Sequence, residues 1–288
     1  MKFSVSYSTP YFGVDPGNLL GYAQHAEACG FEGIYLPEHV VGYRGAKLGA
    51  FDFPPDLPYA DPLDCLSFIA AGTERLLLGT GVLLLPYHHP VTLAKRLATI
   101  DQLSAGRLQL LTVGLGALPG EAAAVGVDYA SRGRRADEAI EVLRLLWSSD
   151  ADGVGYHGEF FDFDGLASFP HPYQGNALPI HVGGSSRAAA RRAGRLGDGF
   201  YPGGALLPQE RAAQVKLARA TAAESGRDPE ALSYTRMAPI DLTQERLDSY
   251  REEGVDRLVI SAATPTLAEQ RDELSAFAER FQLAPTSR

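Results

Sequence analysis

Apolar residues along the chain fall into two alternating rhythms. Short apolar runs predict strands at residues 3–8, 33–39, 76–85, 108–113, 179–182, 199–201, 234–239 and 257–261. Between them, apolar positions recur at helical spacing over 18–29, 62–71, 91–104, 131–147, 186–196, 208–225, 244–253 and 266–281. Leu19, Leu20, Ala23 and Ala26 mark one such face, and Ile140, Leu143, Leu146 and Trp147 another. Gly30 and Gly106 stand where the preceding helices should stop. The run at 76–85 is apolar on both faces, as a strand covered from both sides requires. Repeated strand–helix units imply a parallel sheet, and eight of them favour a closed barrel over an open sheet. The predicted fold class is α/β: a single (β/α)8 TIM barrel spanning residues 1–288.

Three segments break the rhythm. Residues 40–60 follow the second strand and are rich in Gly, Pro and aromatics. Residues 114–130 follow the fourth strand. Residues 148–178 precede the fifth strand, with a hairpin expected over 154–163 at the opposite end of the barrel or along its side. Loops of this length in a compact domain are usually functional.

Composition narrows the function. The chain has 288 residues, 45% of them hydrophobic, and a formal charge of −9. This acidic balance argues against a nucleic-acid or anionic-membrane partner. The longest apolar runs are far short of the roughly 20 residues of a membrane span. The chain opens directly on a predicted strand, so no leader is expected and the cytoplasm is the default location. Cys29 and Cys65 are too few for a disulfide framework and lie on predicted helices, away from any catalytic elbow. Glycine is in excess, 31 of 288 residues or about 11%, against roughly 7% on average.

The glycines matter because of where they fall. Barrel enzymes carry their active sites at the C-terminal ends of the strands. Those ends hold Glu38 and His39, then His88 and His89, Gly114 and Gly116, Gly183 to Ser186, and Gly203 with Gly204. Gly183, Gly184, Ser185 and Ser186 open directly into a helix. Glycine there admits a ligand close to the backbone, and a helix N-terminus offers free N–H groups to a phosphate. Ser186 suits the N-cap and Ser185 a phosphate contact; a tight turn with an ordinary serine cap fits the same residues. His39 is suited to exchange a proton. His88 and His89 point opposite ways and lack a third ligand, so no metal is expected. His25 should be solvated on its helix, and His181 should belong to a barrel layer. Arg132, Arg134 and Arg135 form either a solvated face or a clamp on a ligand phosphate.

Five of these segments, in this order, resemble the bacterial luciferase-like monooxygenase superfamily. They are residues 34–39, 76–106, 107–116, 131–147 and 179–200. The pattern is most similar to the branch that uses the deazaflavin coenzyme F420. The resemblance implies an isoalloxazine-type ring at the strand tops and a non-prolyl cis peptide at Gly81–Val82 behind it. It implies that Glu38, Gly81 and Val82 contact the ring, that Gly114 and Gly116 border the ring or ribityl chain, and that Gly183, Gly184, Ser185 and Ser186 bind the phosphate. His39 matches the proton donor or acceptor. Tyr43 stands for an aromatic residue of the branch's sugar-phosphate dehydrogenase. That enzyme's acidic residue after the fourth strand has no counterpart in the apolar stretch 116–119; the first acid is Glu121, which counts against sugar-phosphate oxidation. Where the family pattern has an arginine before the His-Pro pair, His88 stands here.

The expected activity is two-electron transfer between the deazaflavin and a small organic substrate, beneath the loop at 40–62. Tyr43, Phe51 and Phe53 are the expected substrate-loop residues, with Tyr59, although such aromatics serve equally as loop anchors. Two alternatives stay open: an FMN-dependent two-component monooxygenase, and a non-catalytic flavin-binding barrel. The family also implies a homodimer through the helix at 62–71, and a flavin or F420 reductase as supplier of reduced coenzyme.

Overall fold

Eight parallel strands form the barrel, and the third of them is broken in two. The structure is a computed structural model and describes residues 1–284 except 174, 176, 177 and 205. The barrel strands are β1 (Lys2–Ser6), β2 (Gly33–Leu36), β5 (Leu77–Thr80) with β6 (Leu83–Leu84), β7 (Thr112–Gly114), β10 (His181–Gly183), β11 (Gly199–Tyr201), β12 (Ser233–Pro239) and β13 (Arg257–Ser261). The sheet runs β5-β2-β1-β13-β12-β11-β10-β7-β6, with every pairing parallel. Its two ends, β5 and β6, are halves of one strand. A bridge between Gly79 and Leu110 links β5 to the segment before β7. The Thr80 hydroxyl reinforces that closure by donating to the Thr112 carbonyl at 2.7 Å. A Cβ at position 79 would lie 2.4 Å from that of Leu110, so this closure requires glycine.

Helices α2 (Pro16–Ala28), α3 (Pro62–Ala71), α4 (Pro90–Leu103), α6 (Arg132–Trp147), α7 (Arg187–Leu196), α8 (Pro208–Glu224), α9 (Gln244–Glu252) and α10 (Leu267–Phe281) surround the ring. Asp15, Asp61, Ser186, Thr243 and Thr266 accept backbone N–H groups at the starts of α2, α3, α7, α9 and α10, where capping is most effective. The main core lies between helices and strands. A smaller layer of Tyr35, Leu110, Tyr201 and Val259 fills the barrel itself. Tyr35 and Tyr201 come from strands far apart in the sheet, yet their rings meet at 6.0 Å.

The long segments hold structure that hydrophobic periodicity does not register. Residues 40–60 contain the antiparallel pair β3 (Lys47–Leu48) and β4 (Phe51–Asp52). A four-residue helix, α1 (Thr9–Phe12), follows β1, and α5 (Pro119–Ala124) lies in the segment after β7. The expected hairpin is β8 (Val154–His157) with β9 (Asp162–Leu166). It lies along the side of the barrel, where Glu138 and Glu141 of α6 accept bonds from Glu159, Phe160 and Tyr156.

One expectation changes. His25 is not simply solvated: its Nε2 lies 2.9 Å from Ser275 Oγ and 3.0 Å from the Arg271 carbonyl, which ties α2 to α10. In α3, Leu63, Leu66 and Ile69 are fully buried against their own barrel, leaving Phe68 as the exposed large apolar residue of that helix. His181 does belong to the barrel layer. Burial, helped by Arg257, pushes its imidazole down to about 4.

Candidate functional site

Most of the residues singled out at the strand tops converge on one cavity of about 400 Å³; His88, His89, Gly203 and Gly204 do not line it. Its wall includes Glu38 and His39 after β2, Gly81 and Val82 at the strand break, Gly114 and Gly116 after β7, and Gly183 to Ser186 after β10. The volume lies within the roughly 300–1,000 Å³ of small-molecule sites. The Gly81–Val82 peptide is cis, as is Phe169–Pro170.

Two of these glycines also serve a purpose within the protein itself. The Val82 side chain lies wedged between two neighbouring strands. A Cβ at Gly114 would stand 2.4 Å from Val82 Cγ2, and one at Gly183 would stand 2.6 Å from Cγ1. These two glycines make room for a protein side chain, which becomes part of the cavity wall. Gly116 has φ +76 and faces the Tyr87 hydroxyl, which is buried and has no hydrogen-bond partner among the described residues. Burial pushes that phenol up to about 12. Gly184 has φ +132, a conformation that residues with a Cβ rarely adopt.

The turn at 183–186 is suited to an anion. Ser186 is the N-cap, its Oγ accepting the Ala189 N–H at 3.1 Å. The N–H groups of Ser185, Arg187 and Ala188 find no acceptor among the described residues. Of the four arginines of helix α7, Arg192 and Arg195 pair with Asp137 of α6, while Arg187 stands in the first turn, where its charge adds to the partial positive charge of the N-terminus. Of the arginines that open α6, Arg132 lines the cavity. It donates to the Gly116 carbonyl at 3.3 Å and stacks on Tyr129 at 3.5 Å. Arg134 pairs with Glu159, and Arg135 bonds the Pro86 carbonyl, so neither lines the cavity.

Two acid–histidine pairs organise the other side. Glu38 is buried; one oxygen accepts the Leu84 N–H at 2.5 Å and the other lies 2.9 Å from His88 Nε2. Its carboxylate therefore holds β6 in place after the strand break, as well as lining the cavity. The second pair was not anticipated. Glu121, on α5, is fully buried, with Oε2 at 3.2 Å from His39 Nδ1 and Oε1 accepting the Val40 N–H at 2.6 Å. A carboxylate accepts hydrogen bonds, so the shared proton belongs on Nδ1 and Nε2 is the nitrogen left to exchange one. The sequence signal was an acid within the otherwise apolar run at 117–125. Helix α5 thus carries an acid to the histidine from just beyond the apolar stretch 116–119.

The aromatic loop divides differently from expectation. Phe53 is buried with its ring 4.6 Å from that of His39, and Tyr59 meets the same imidazole edge-on at 4.8 Å. Tyr43 packs beneath, its hydroxyl accepting the Gly120 N–H. Phe51 is 48% exposed on β4, and neither it nor Tyr43 lines the cavity. Leu48 and Tyr59 line it instead. Two-residue strands alternate too briefly to show in sequence which side chain points inward.

Among the described residues no group of acids, histidines and cysteines could hold a metal ion. No helix among them is long and apolar enough to cross a membrane.

A model of the luciferase-like monooxygenases matches residues 2–280. An F420-dependent glucose-6-phosphate dehydrogenase of Microbacterium testaceum is 30% identical over 204 residues, 69% of this chain and 56% of that one. An FMNH2-dependent dimethylsulfone monooxygenase of Pseudomonas putida is 36% identical over 161 residues, 55% of this chain and 43% of that one. The fold is that of an F420-dependent secondary alcohol dehydrogenase, with TM-score 0.78 at 17% identity over 100% of this chain and 99% of that one.

Proposed function

The chain belongs to the luciferase-like monooxygenase family, and from that premise we propose that it is an F420-dependent oxidoreductase acting on a small organic substrate. The observation that carries this reading is the strand-top cavity that has an anion-suited turn at one side and the His39–Glu121 pair at the other. The residues present fit such a coenzyme. The wall beside Gly81 is open, since a Cβ there would meet nothing nearer than 3.5 Å. Gly184 would let the phosphate approach the turn closely, and the N–H groups of Ser185, Arg187 and Ala188 with the hydroxyls of Ser185 and Ser186 would hold it. Gly81 and Val82 would back the ring. When bound, the deazaflavin supplies the two-electron chemistry.

The chain's own residues do the rest. Glu121 holds the proton on His39 Nδ1 and fixes the ring's orientation. His39 Nε2 gives or takes the substrate proton. Phe53 and Tyr59 hold the imidazole from two sides. Glu38 keeps the broken strand in register through Leu84 and His88.

FMN is the second reading, favoured by the FMNH2-dependent relative. Separate titrations of the protein with F420 and FMN, followed by absorbance and fluorescence, decide between them. Micromolar F420 binding with much weaker FMN binding is expected. Micromolar FMN binding with no F420 binding would overturn the F420 assignment and favour an oxygen-using monooxygenase.

A further inference from the structure

A second cavity, of about 510 Å³, adjoins the first on the side of β1, β12 and β13. Pro37, Tyr59 and Gly81 line both. Tyr59 also touches the His39 imidazole, so a molecule in the second cavity lies one side chain away from the proton-exchanging group. We infer that this cavity is the substrate site and that it takes an uncharged, mainly apolar molecule bearing a hydroxyl or carbonyl oxygen. The inference rests on the reading of the first cavity as the coenzyme site.

Three observations converge on it. Among the described residues, no lysine, arginine, histidine, aspartate or glutamate lines the cavity. An anionic substrate would leave water without a counter-charge, which is strongly unfavourable.

The turn after β13 is also closed to anions. Glu273, from α10, reaches back to accept the N–H groups of Ala263 at 2.9 Å and Thr264 at 3.3 Å, and the Thr264 hydroxyl at 3.0 Å. These are the donors that a phosphate would otherwise use, and a carboxylate already has them. The N-cap of α10 is likewise taken, Thr266 Oγ accepting the Glu269 N–H.

The polar groups that remain are neutral hydroxyls. Ser6 and Ser261 sit opposite each other on β1 and β13, and Ser8 follows. None of the three side chains bonds elsewhere in the protein among the described residues. They suit one neutral oxygen. Around them the wall is apolar: Tyr11, Phe12, Met237 and Pro265, with Tyr11 and Met237 exposed at the mouth. Exposed apolar side chains grouped at a cavity mouth mark a binding surface.

The test is a binding comparison, with and without F420. Neutral ketones of rising size (cyclohexanone, 1-indanone) are set against glucose 6-phosphate and benzoate, with affinities read by ligand-observed NMR. At least a tenfold preference for a neutral ketone is expected. Ala263→Trp, at an exposed position lining the cavity, should abolish ketone binding. Met237→Arg should weaken it tenfold or more and raise benzoate affinity. The inference is overturned if either anion binds the unmodified protein as tightly as the ketones, if no ketone binds, or if Ala263→Trp leaves ketone affinity unchanged. If F420 fails to bind while the ketone preference and its loss in Ala263→Trp persist, the coenzyme reading falls and the inference about the substrate stands.

Discussion

The turns after β10 and after β13 share one plan and differ in charge. Each leads from a barrel strand into a helix, α7 or α10, and each opens on a cavity at the strand tops. At the first turn a serine caps the helix, the next N–H groups are free, and no carboxylate hydrogen-bonds to it among the described residues. At the second, Glu273 takes the N–H groups itself. The same strand–turn–helix unit is thus suited to an anion in one place and closed to it in the other. The difference rests on one carboxylate, in the second turn of α10. Barrel enzymes often bind phosphate after the seventh and eighth strands; here that end of the barrel is the neutral one. The net charge of −9 sets neither preference.

The largest expected effect lies between the two turns. His39→Ala should lower turnover by about 10²–10⁴-fold, the usual loss of a general acid or base, while the coenzyme Kd stays within about twofold. Steady-state rates and coenzyme titration check both halves. A parallel loss of coenzyme binding would move His39 from proton exchange to ligand binding.

The barrel interior under both turns should respond to acid. Burial holds the His181 imidazole down at about 4, against an ordinary value near 6.5. Between those two values the unfolded chain binds the extra proton, so stability rises with pH through this window and is lost as pH falls from about 6.5 to about 4. The full contribution is on the order of 3 kcal/mol. Denaturant titrations at several pH values should show this slope, and His181→Leu should flatten it.

Smaller effects separate the turns directly. Gly184→Val places a Cβ 3.0 Å from that of Ala189 in a backbone conformation that valine resists. It should raise the coenzyme Kd at least tenfold and leave the affinity for neutral ketones unchanged. Glu273→Ala leaves two N–H groups at the other turn without their acceptor. It should lower stability by about 1–2 kcal/mol in urea denaturation and leave coenzyme affinity unchanged. If the two variants exchanged phenotypes, the assignment of the turns would be reversed.

The strand order, helix faces and site glycines were legible because each is carried by local residue types. Gly183 to Ser186 announce a turn and a cap whatever lies around them. The unread features are contacts between distant segments. Glu121 and His39 are 82 positions apart and meet only because the loop folds back through α5. Val82 fills the space that Gly114 and Gly183 leave, a reason for glycine that no single segment contains. The third strand reads as continuous because 76–85 is apolar apart from Thr80, yet it pairs with β2 before the break and with β7 after it. Phe51 and Phe53 differ by two positions and looked equivalent; only Phe53 reaches His39.

A crystal structure of the protein soaked with F420 tests the central claim most directly. The account predicts the coenzyme phosphate within hydrogen-bond distance of Gly184, Ser185 or Ser186, with the ring against Gly81 and Val82. A phosphate held instead at the turn formed by Ala263 and Thr264, or a ring outside the cavity beside Val82, would contradict it.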